Sequence, residues 1–213
     1  HSEALERAVN EIHPEVIFHL AAPGLSPTAV DEWDNIRTNI LGTANLLKAT
    51  ASLSYDRFVH IGSSLESGHR TRPLRESDAM RPSTLRGVSK AAATLLCQQQ
   101  ARAEHLPIVV LRPFTVYGYW EEPRRLIPTA IRAALNGQEM ALTAAGYRRD
   151  YVFVEDVVEA CLLALSVPKI EGDIINVGSG QQWSNEEVVE MVQEVSGQRI
   201  RVRAGVYPSH SAD

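Results

Sequence analysis

The sequence predicts an α/β fold in which a doubly wound, parallel β-sheet carries helices on both faces. Short runs of apolar strand formers lie at residues 16–22, 57–62 and 108–112, and stretches with helical periodicity separate them at 34–51 and 84–104. A strand that is apolar along its whole length is typical of a sheet covered on both sides. Because the strands alternate with helices, right-handed crossovers should make them parallel.

Composition limits the classes of partner. The chain has 213 residues, of which 44% are hydrophobic and 22% charged, as in ordinary globular proteins. Its net charge of −5 argues against a nucleic-acid partner, because phosphate binding needs a basic surface. No apolar run approaches the roughly 20 residues of a membrane span. The polar N-terminus is unlike a secretory signal, so we expect a cytoplasmic protein without membrane contact.

The two cysteines predict no metal site. Cys97 and Cys161 lie in apolar, helix-like stretches, and neither has a cysteine or histidine at metal-ligand spacing. Both are expected to be buried thiols in a reducing compartment.

The pattern of predicted strands and helices changes after Tyr117. We divide the chain into a first domain at 1–117 and a smaller mixed α/β domain at 118–213, with segments near 151–178 returning to the main sheet. In the second part we expect helices at 126–136, 157–166 and 185–196 and strands at 151–154 and 174–177. The last of these helices has the spacing of a capping box, formed by Ser184 and Glu187, and ends at Gly197.

The residues that follow the three predicted strands are small or carry hydroxyl groups. In parallel sheets ligands bind at the carboxyl ends of the strands, so these residues are candidates for close contact with a cofactor. They are Ala21, Ala22 and Pro23, then Ser63 and Ser64, then Pro113, Phe114 and Thr115. Small residues at strand ends also serve packing alone.

Seven segments, in order and spacing, resemble the extended short-chain dehydrogenase/reductase family, in its NAD-dependent epimerase/dehydratase branch that acts on nucleotide sugars. They are HLAA at 19–22, NILGTANLL at 39–47, FVHIGSS at 58–64, GVSK at 87–90, LRPFTVYG at 111–118, RDYVFVEDV at 149–157 and NVGSG at 176–180. The resemblance implies a Rossmann-like sheet, an NAD or NADP cofactor and a smaller domain that binds the sugar nucleotide.

The Gly-rich phosphate loop with which this family begins does not occur in the sequence. From this resemblance we expect the chain to start just before the family's fourth strand and to stop short of its C-terminal end. We therefore expect a partial chain, from which NAD and NADP cannot be told apart.

Ser63 occupies the position of the family's serine or threonine that hydrogen-bonds the reacting sugar oxygen. The alternative is that Ser63 and Ser64 only cap a loop. The family's 4,6-dehydratases carry Asp and Glu at the next two positions, where this chain has Ser64 and Leu65. This difference favours an epimerase or a 4-keto reductase, with Ser64 near the substrate.

Lys90 matches the family lysine that hydrogen-bonds the nicotinamide ribose and lowers the pKa of a nearby phenol. The catalytic tyrosine expected four residues earlier is replaced by Arg86. Arginine stays protonated and has no acceptor lone pair, so it cannot be a general base. The family's glutamate four residues after the lysine is also replaced, by Thr94. Glu66, His69 and Tyr119 lie in loops that could approach the site and are weaker candidates to replace the phenol.

The resemblance also assigns binding residues. Arg149 matches the arginine that grips the substrate pyrophosphate, Arg125 belongs to the nucleotide-binding wall and Leu142 lies near the base. Asn39 is placed near the cofactor, although its amide can equally bend its helix. Asn176 and Asp156 are interpreted as local structural anchors. The alternative for the arginines is ordinary surface charge.

Three hypotheses remain open. The first is an NAD(P)-dependent nucleotide-sugar epimerase or 4-keto reductase that transfers hydride at a sugar carbon. The second is a catalytically impaired or divergent homologue that binds a sugar nucleotide or a protein partner. The third is a reaction that needs no phenol, with Arg86 gripping an anionic substrate. The resemblance further implies a homodimer formed through the helices at 34–51 and 84–104.

Overall fold

A computed structural model describes residues 2–24, 32–70, 72–143 and 146–207. The chain forms two compact units, the first made of His1–Pro113 and Asp156–Val177 and the second of Phe114–Glu155 and Gly178–Asp213. The first unit therefore includes a segment, Asp156–Val177, that follows Phe114–Glu155 of the second unit in the chain.

The elements follow one another in a mixed order along the chain. The strands are β1 (Val16–His19), β2 (Arg57–Ile61), β3 (Ile108–Pro113), β4 (Thr115–Tyr117), β5 (Glu139–Thr143), β6 (Arg148–Phe153), β7 (Ile174–Val177), β8 (Gln182–Ser184) and β9 (Arg201–Tyr207). The helices are α1 (Ser2–Ile12), α2 (Glu32–Asn35), α3 (Thr43–Thr50), α4 (Leu85–Ala103), α5 (Leu126–Asn136), α6 (Val154–Ser166) and α7 (Asn185–Ser196). A π-helical segment (Ile36–Gly42) joins α2 to α3.

The first unit is built on a parallel sheet with strand order β1-β2-β3-β7. One face packs Phe58 and Ile108 against Leu47 of α3 and Cys97 of α4. On the other face, a second cluster joins the strands to α6, and its members are Val59, Val109, Leu111, Cys161 and Ala164. Helices on both faces explain why these strands are apolar along their length, and they confirm the predicted doubly wound sheet.

Helix α4 is fixed at its N-terminus by a polar cap and a close contact. The Thr84 hydroxyl accepts a hydrogen bond from the backbone N–H of Gly87 at 3.0 Å. A Cβ atom at Gly87 would lie 2.7 Å from the carbonyl oxygen of Leu65, so only glycine allows this approach. The helix thus begins directly against the turn that follows β2.

The second unit combines a three-stranded sheet, ordered β4-β6-β8, with the parallel pair β5 and β9. Its core lies beneath α5 and α7 and contains Ala130, Ala133, Ala134, Met140, Leu142, Val189 and Ile200. Helix α7 has the predicted capping box and ends at Gly197, which has a left-handed φ of 66°. This arrangement is the smaller mixed α/β part that the sequence predicts.

Both cysteines are buried free thiols, and burial raises the pKa of Cys97 to about 12. Within the described ranges, none of the helices has the length and apolarity that a bilayer crossing requires.

Candidate functional site

Ser63 follows β2 directly and begins a single 3₁₀ turn (Ser64–Ser67). Its Oγ accepts a hydrogen bond from the N–H of Leu65 at 3.3 Å, and its own N–H donates to Oε1 of Glu66 at 2.7 Å. Ser63 thus caps the turn, as the alternative interpretation of the sequence expects. Because Oγ acts as an acceptor in this cap, the hydroxyl hydrogen stays available to a ligand.

Lys90 reaches back from α4 to the end of the same strand. Its Nζ donates a hydrogen bond to the carbonyl oxygen of Ile61 at 2.8 Å, and the residue is only 6% exposed. Burial lowers the pKa of Lys90, and the Arg86 guanidinium lowers it further, while Glu66 opposes both. The structure therefore brings Lys90 and Ser63 together at the carboxyl end of β2.

Arg86 lies one helical turn before Lys90 and is half-buried. The backbone around it is tied to the π-helical segment through two hydrogen bonds. Asn39 Nδ2 donates to Ser89 Oγ at 2.8 Å, and Ser89 Oγ donates to the carbonyl oxygen of Arg86 at 2.9 Å. Asn39 thus helps to hold the segment that carries Arg86, a role that the sequence interpretation did not include.

A buried charged cluster lies behind Ser63. Glu66 and Arg112 are both fully buried, and Arg112 Nε donates to Glu66 Oε2 at 3.1 Å. Thr94 Oγ1 donates to the other carboxylate oxygen at 3.0 Å. Sequence analysis gave Glu66 as a loop residue and a weaker candidate to replace the phenol. The spacing of Ser63 and Glu66 is that of a capping box, the same signal that correctly identified the start of α7.

Two neighbouring histidines lie under the same end of the sheet. His19 and His60 are register partners on β1 and β2, with ring centroids 5.1 Å apart. His19 Nε2 is 2.8 Å from Thr43 Oγ1, and both ring nitrogens of His60 lack a hydrogen-bond partner within the described ranges. Burial, and secondarily the Lys90 ammonium, lowers the pKa of His19 to about 4; burial also lowers the pKa of His60.

The predicted cofactor residues of the first unit lie at neighbouring strand ends. Ala21 and Ala22 are exposed after β1, Pro23 is half-buried, and Pro113 ends β3 in a buried position. Exposed small residues at a strand end fit a dinucleotide, which needs close backbone approach. Phe114 and Thr115, which follow Pro113, belong to the second unit.

The predicted substrate residues of the second unit have different surroundings. Arg125 Nε is 2.8 Å from Glu121 Oε1, in an i, i+4 ion pair. Arg149 is half-buried next to the Tyr151 phenol, whose pKa burial raises and Arg149 lowers. Leu142 is a core residue, 3% exposed, so its predicted contact with a base would have to use very little surface.

Asp150 anchors the turn after β7. Its carboxylate accepts hydrogen bonds from the N–H and hydroxyl of Ser179 and from the N–H of Gly180, each at 2.8 Å. A Cβ atom at Gly178 would lie 2.8 Å from this carboxylate. Asp156, which the sequence interpretation named as an anchor, is exposed on α6. Asn176, the other named anchor, donates from Nδ2 to the carbonyl oxygen of Leu74 at 3.4 Å.

The second unit also contains an apolar cavity of about 630 Å³ between α5, α7 and the β4-β6-β8 sheet. Aromatic and aliphatic side chains make up most of its wall, and they include Tyr117, Ile127, Ile131, Tyr151, Trp183, Met191 and Val195.

Comparison with protein families gives one match over most of the chain. The model of the NAD dependent epimerase/dehydratase family matches residues 1–178. A Bacillus subtilis protein named as an uncharacterized UDP-glucose epimerase is 29% identical over 192 residues, which are 87% of this chain and 60% of that protein. The chain thus spans about 60% of the length of this curated relative.

Solved structures of similar proteins carry the same fold. The UDP-glucuronic acid 4-epimerase of Bacillus cereus, in complex with UDP-glucuronic acid and NAD, has a TM-score of 0.84 and 29% identity, covering 94% of this chain and 64% of that one. MoeE5 in complex with UDP-glucuronic acid and NAD has a TM-score of 0.87 and 33% identity, covering 98% of this chain and 70% of that one.

Proposed function

Because this chain belongs to the NAD dependent epimerase/dehydratase family, we propose that the whole protein carrying it is an NAD(P)-dependent nucleotide-sugar epimerase or 4-keto reductase. The hydrogen bond of Lys90 to Ile61 supports the proposal most directly, because it holds an ammonium group beside the half-buried Ser63. A hydroxyl and an ammonium at one strand end suit a reacting sugar oxygen and a cofactor ribose.

In this proposal the cofactor-binding residues are Ala21, Ala22, Pro23, Asn39, Lys90, Pro113, Phe114 and Thr115. When bound, the nicotinamide would accept hydride from a sugar carbon or return it. Ser63 orients the reacting oxygen through the O–H that its cap leaves available. The residues proposed to contact the sugar nucleotide are Ser64, Arg125, Arg149 and Leu142.

Proton transfer has to proceed without the family's phenol. Arg86 remains protonated and cannot accept a proton. Lys90 is the titratable group on the same helix face, and both its burial and the adjacent guanidinium lower its pKa. We assign to Lys90 the transfer of the proton at the sugar oxygen, which a lysine of lowered pKa can perform.

A second candidate function is a divergent homologue whose site holds an anionic sugar nucleotide. The placement of Arg86 and Lys90 at i and i+4 favours it, because two cations on one helix face suit a carboxylate. MoeE5 and the Bacillus cereus enzyme, both solved with UDP-glucuronic acid, give this candidate a specific ligand to test.

The two candidates can be separated by incubating the whole protein with UDP-glucose or UDP-glucuronic acid in the presence of NAD or NADP, and with their 4-keto forms in the presence of NADH or NADPH. NMR of the sugar products reports turnover, and calorimetry reports binding. The first candidate predicts a C4 epimer or a reduced 4-keto sugar. Binding of UDP-glucuronic acid without turnover would favour the second, and neither binding nor turnover would contradict both.

We also propose that the protein forms a homodimer through the outer faces of α2, the π-helical segment, α3 and α4. Large apolar side chains are exposed there at Trp33, Leu41, Val88 and Leu95. These side chains lie on α2, the π-helical segment and α4, which pack against one another, so they suit a helical interface with a second copy.

A further inference from the structure

We propose that Glu66 is a positioning residue for Ser63: its carboxylate fixes the backbone of Ser63 from one side while binding Arg112 from the other. This inference rests on the proposed function, because it concerns the residue expected to hold the reacting sugar oxygen. Nothing in the resemblance assigns Glu66 such a role.

Each oxygen of the Glu66 carboxylate has its own partners. Oε1 accepts from the Ser63 N–H at 2.7 Å and from Thr94 Oγ1 at 3.0 Å. Oε2 lies 3.1 Å from both Nε and Nη2 of Arg112. A carboxylate with donors on both oxygens is held in one orientation, and charged hydrogen bonds of this kind are short and strong.

The backbone is shaped to admit this carboxylate. Gly62 precedes Ser63, and a Cβ atom there would lie 2.5 Å from Glu66 Oε1 and 3.2 Å from Thr94 Oγ1. Any larger residue at 62 would push Glu66 away from Ser63. The glycine before the candidate catalytic serine therefore has a steric reason that concerns Glu66 directly.

The same geometry explains the departure at position 94. The resemblance implies a glutamate there, and this chain has Thr94, whose hydroxyl donates to the carboxylate that arrives from position 66. A glutamate at position 94 would place its carboxylate in the space that the Glu66 carboxylate fills. Only one of the two positions can therefore carry the negative charge. A carboxylate at position 66 differs from one at position 94 because it also binds the backbone of Ser63.

The test uses two variants of the whole protein. In Glu66→Gln the side chain keeps its size, and because the amide oxygen is expected to stay on the charged guanidinium of Arg112, the NH2 group has to face the Ser63 N–H. In Glu66→Val with Thr94→Glu the carboxylate is moved to the helix, where it can reach Arg112 without contacting Ser63. Amide hydrogen exchange at residues 62–68 is measured beside thermal unfolding and sugar-nucleotide turnover.

We expect exchange at Ser63 to accelerate at least about tenfold in Glu66→Gln, and kcat to fall by a similar factor with little change in KM. The double variant should recover the unfolding temperature while exchange stays fast and kcat stays low. A purely structural role would instead return kcat together with stability.

Unchanged exchange at Ser63 in Glu66→Gln would overturn the inference whether or not the protein turns over a sugar nucleotide. Fast exchange with unchanged kcat in Glu66→Gln would also overturn it, as would a double variant with the kcat of the unaltered protein. If the unaltered protein shows no turnover, the proposed function fails and the exchange measurement still decides whether Glu66 fixes Ser63.

Discussion

The Nζ atom of Lys90 donates a hydrogen bond to the carbonyl oxygen of Ile61 across 2.8 Å, which ties the second turn of α4 to the last residue of β2. Ser63 follows two residues later. A lysine that is nearly buried loses hydration and needs such a partner, so this bond both explains the burial of Lys90 and sets its position in the proposed site.

Replacing Lys90 by methionine is expected to reduce kcat/KM for the sugar nucleotide at least about 100-fold, because the proposed proton-transfer group is lost. The apolar side chain fits the buried position, so the unfolding temperature should change little. Steady-state kinetics and thermal unfolding measure both effects. Lys48→Met, at an exposed position on α3, is the control and should keep full activity. Full activity in Lys90→Met would remove Lys90 from the mechanism.

The second prediction concerns pH. The Arg86 guanidinium lowers the pKa of Lys90, so Arg86→Gln should raise that pKa. A base with a higher pKa loses its proton at higher pH, and the rising limb of kcat/KM against pH should therefore move to higher pH in the variant. Arg37→Gln, exposed in the π-helical segment, is the control. A limb that stays in place would show that Lys90 is not the titrating base.

Acid should destabilise the first unit through His60 and His19. Both have a pKa below the ordinary value of 6.5, so below that pH the unfolded chain binds protons that the folded chain does not. Stability is therefore complete above about pH 6.5 and falls as the pH drops toward about 4. His60→Phe should flatten this dependence in urea unfolding, whereas exposed His69→Asn should leave it unchanged. An equal slope in His60→Phe would contradict this account.

Loss of the Asp150 carboxylate should destabilise the second unit. Asp150→Ala removes three hydrogen bonds to the turn at Ser179 and Gly180, and we expect a loss of about 2–3 kcal/mol in the free energy of unfolding. Asp156→Ala, at an exposed helix position, should cost less than about 0.5 kcal/mol. A loss for Asp150→Ala as small as that for Asp156→Ala in denaturant titrations would contradict the anchoring role of Asp150.

The proposed dimer gives a further prediction. Leu95→Asp places a charge in the middle of the apolar face of α4 and should convert the dimer to a monomer in analytical ultracentrifugation. Ile131→Asp, on the partly exposed face of α5 in the second unit, is the control and should leave the dimer intact. A monomeric unaltered protein, or a dimer in both variants, would refute this interface.

The main sheet and the caps were predictable because their signals are local. Apolar runs identified β1, β2, β3 and β7, and capping residues identified the ends of α7. The short strands β4, β5 and β8, together with β9, were missed. Strands β4 and β8 have three residues each, too few to show an alternating pattern, and β5 depends on pairing with β9 more than 50 residues later.

The placement of Ser63 and Lys90 at the carboxyl end of β2 was predictable from their positions in sequence motifs, whereas their roles stay a prediction. The site was not predictable where partners come from distant segments. The carboxylate of Glu66 has partners on β3 and α4, and the amide of Asn39 reaches Ser89, 50 residues away. Such contacts depend on the packing of the helices against the sheet, which no single segment encodes.

The central claim is tested most directly by measuring nucleotide-sugar turnover in the presence of NAD or NADP. The whole protein is compared with its Arg86→Tyr variant. The proposed mechanism predicts that the unaltered protein already converts a sugar nucleotide, with Lys90 in place of the phenol. Turnover that occurs only in Arg86→Tyr would contradict it and would show that the natural site is not that of an epimerase or reductase.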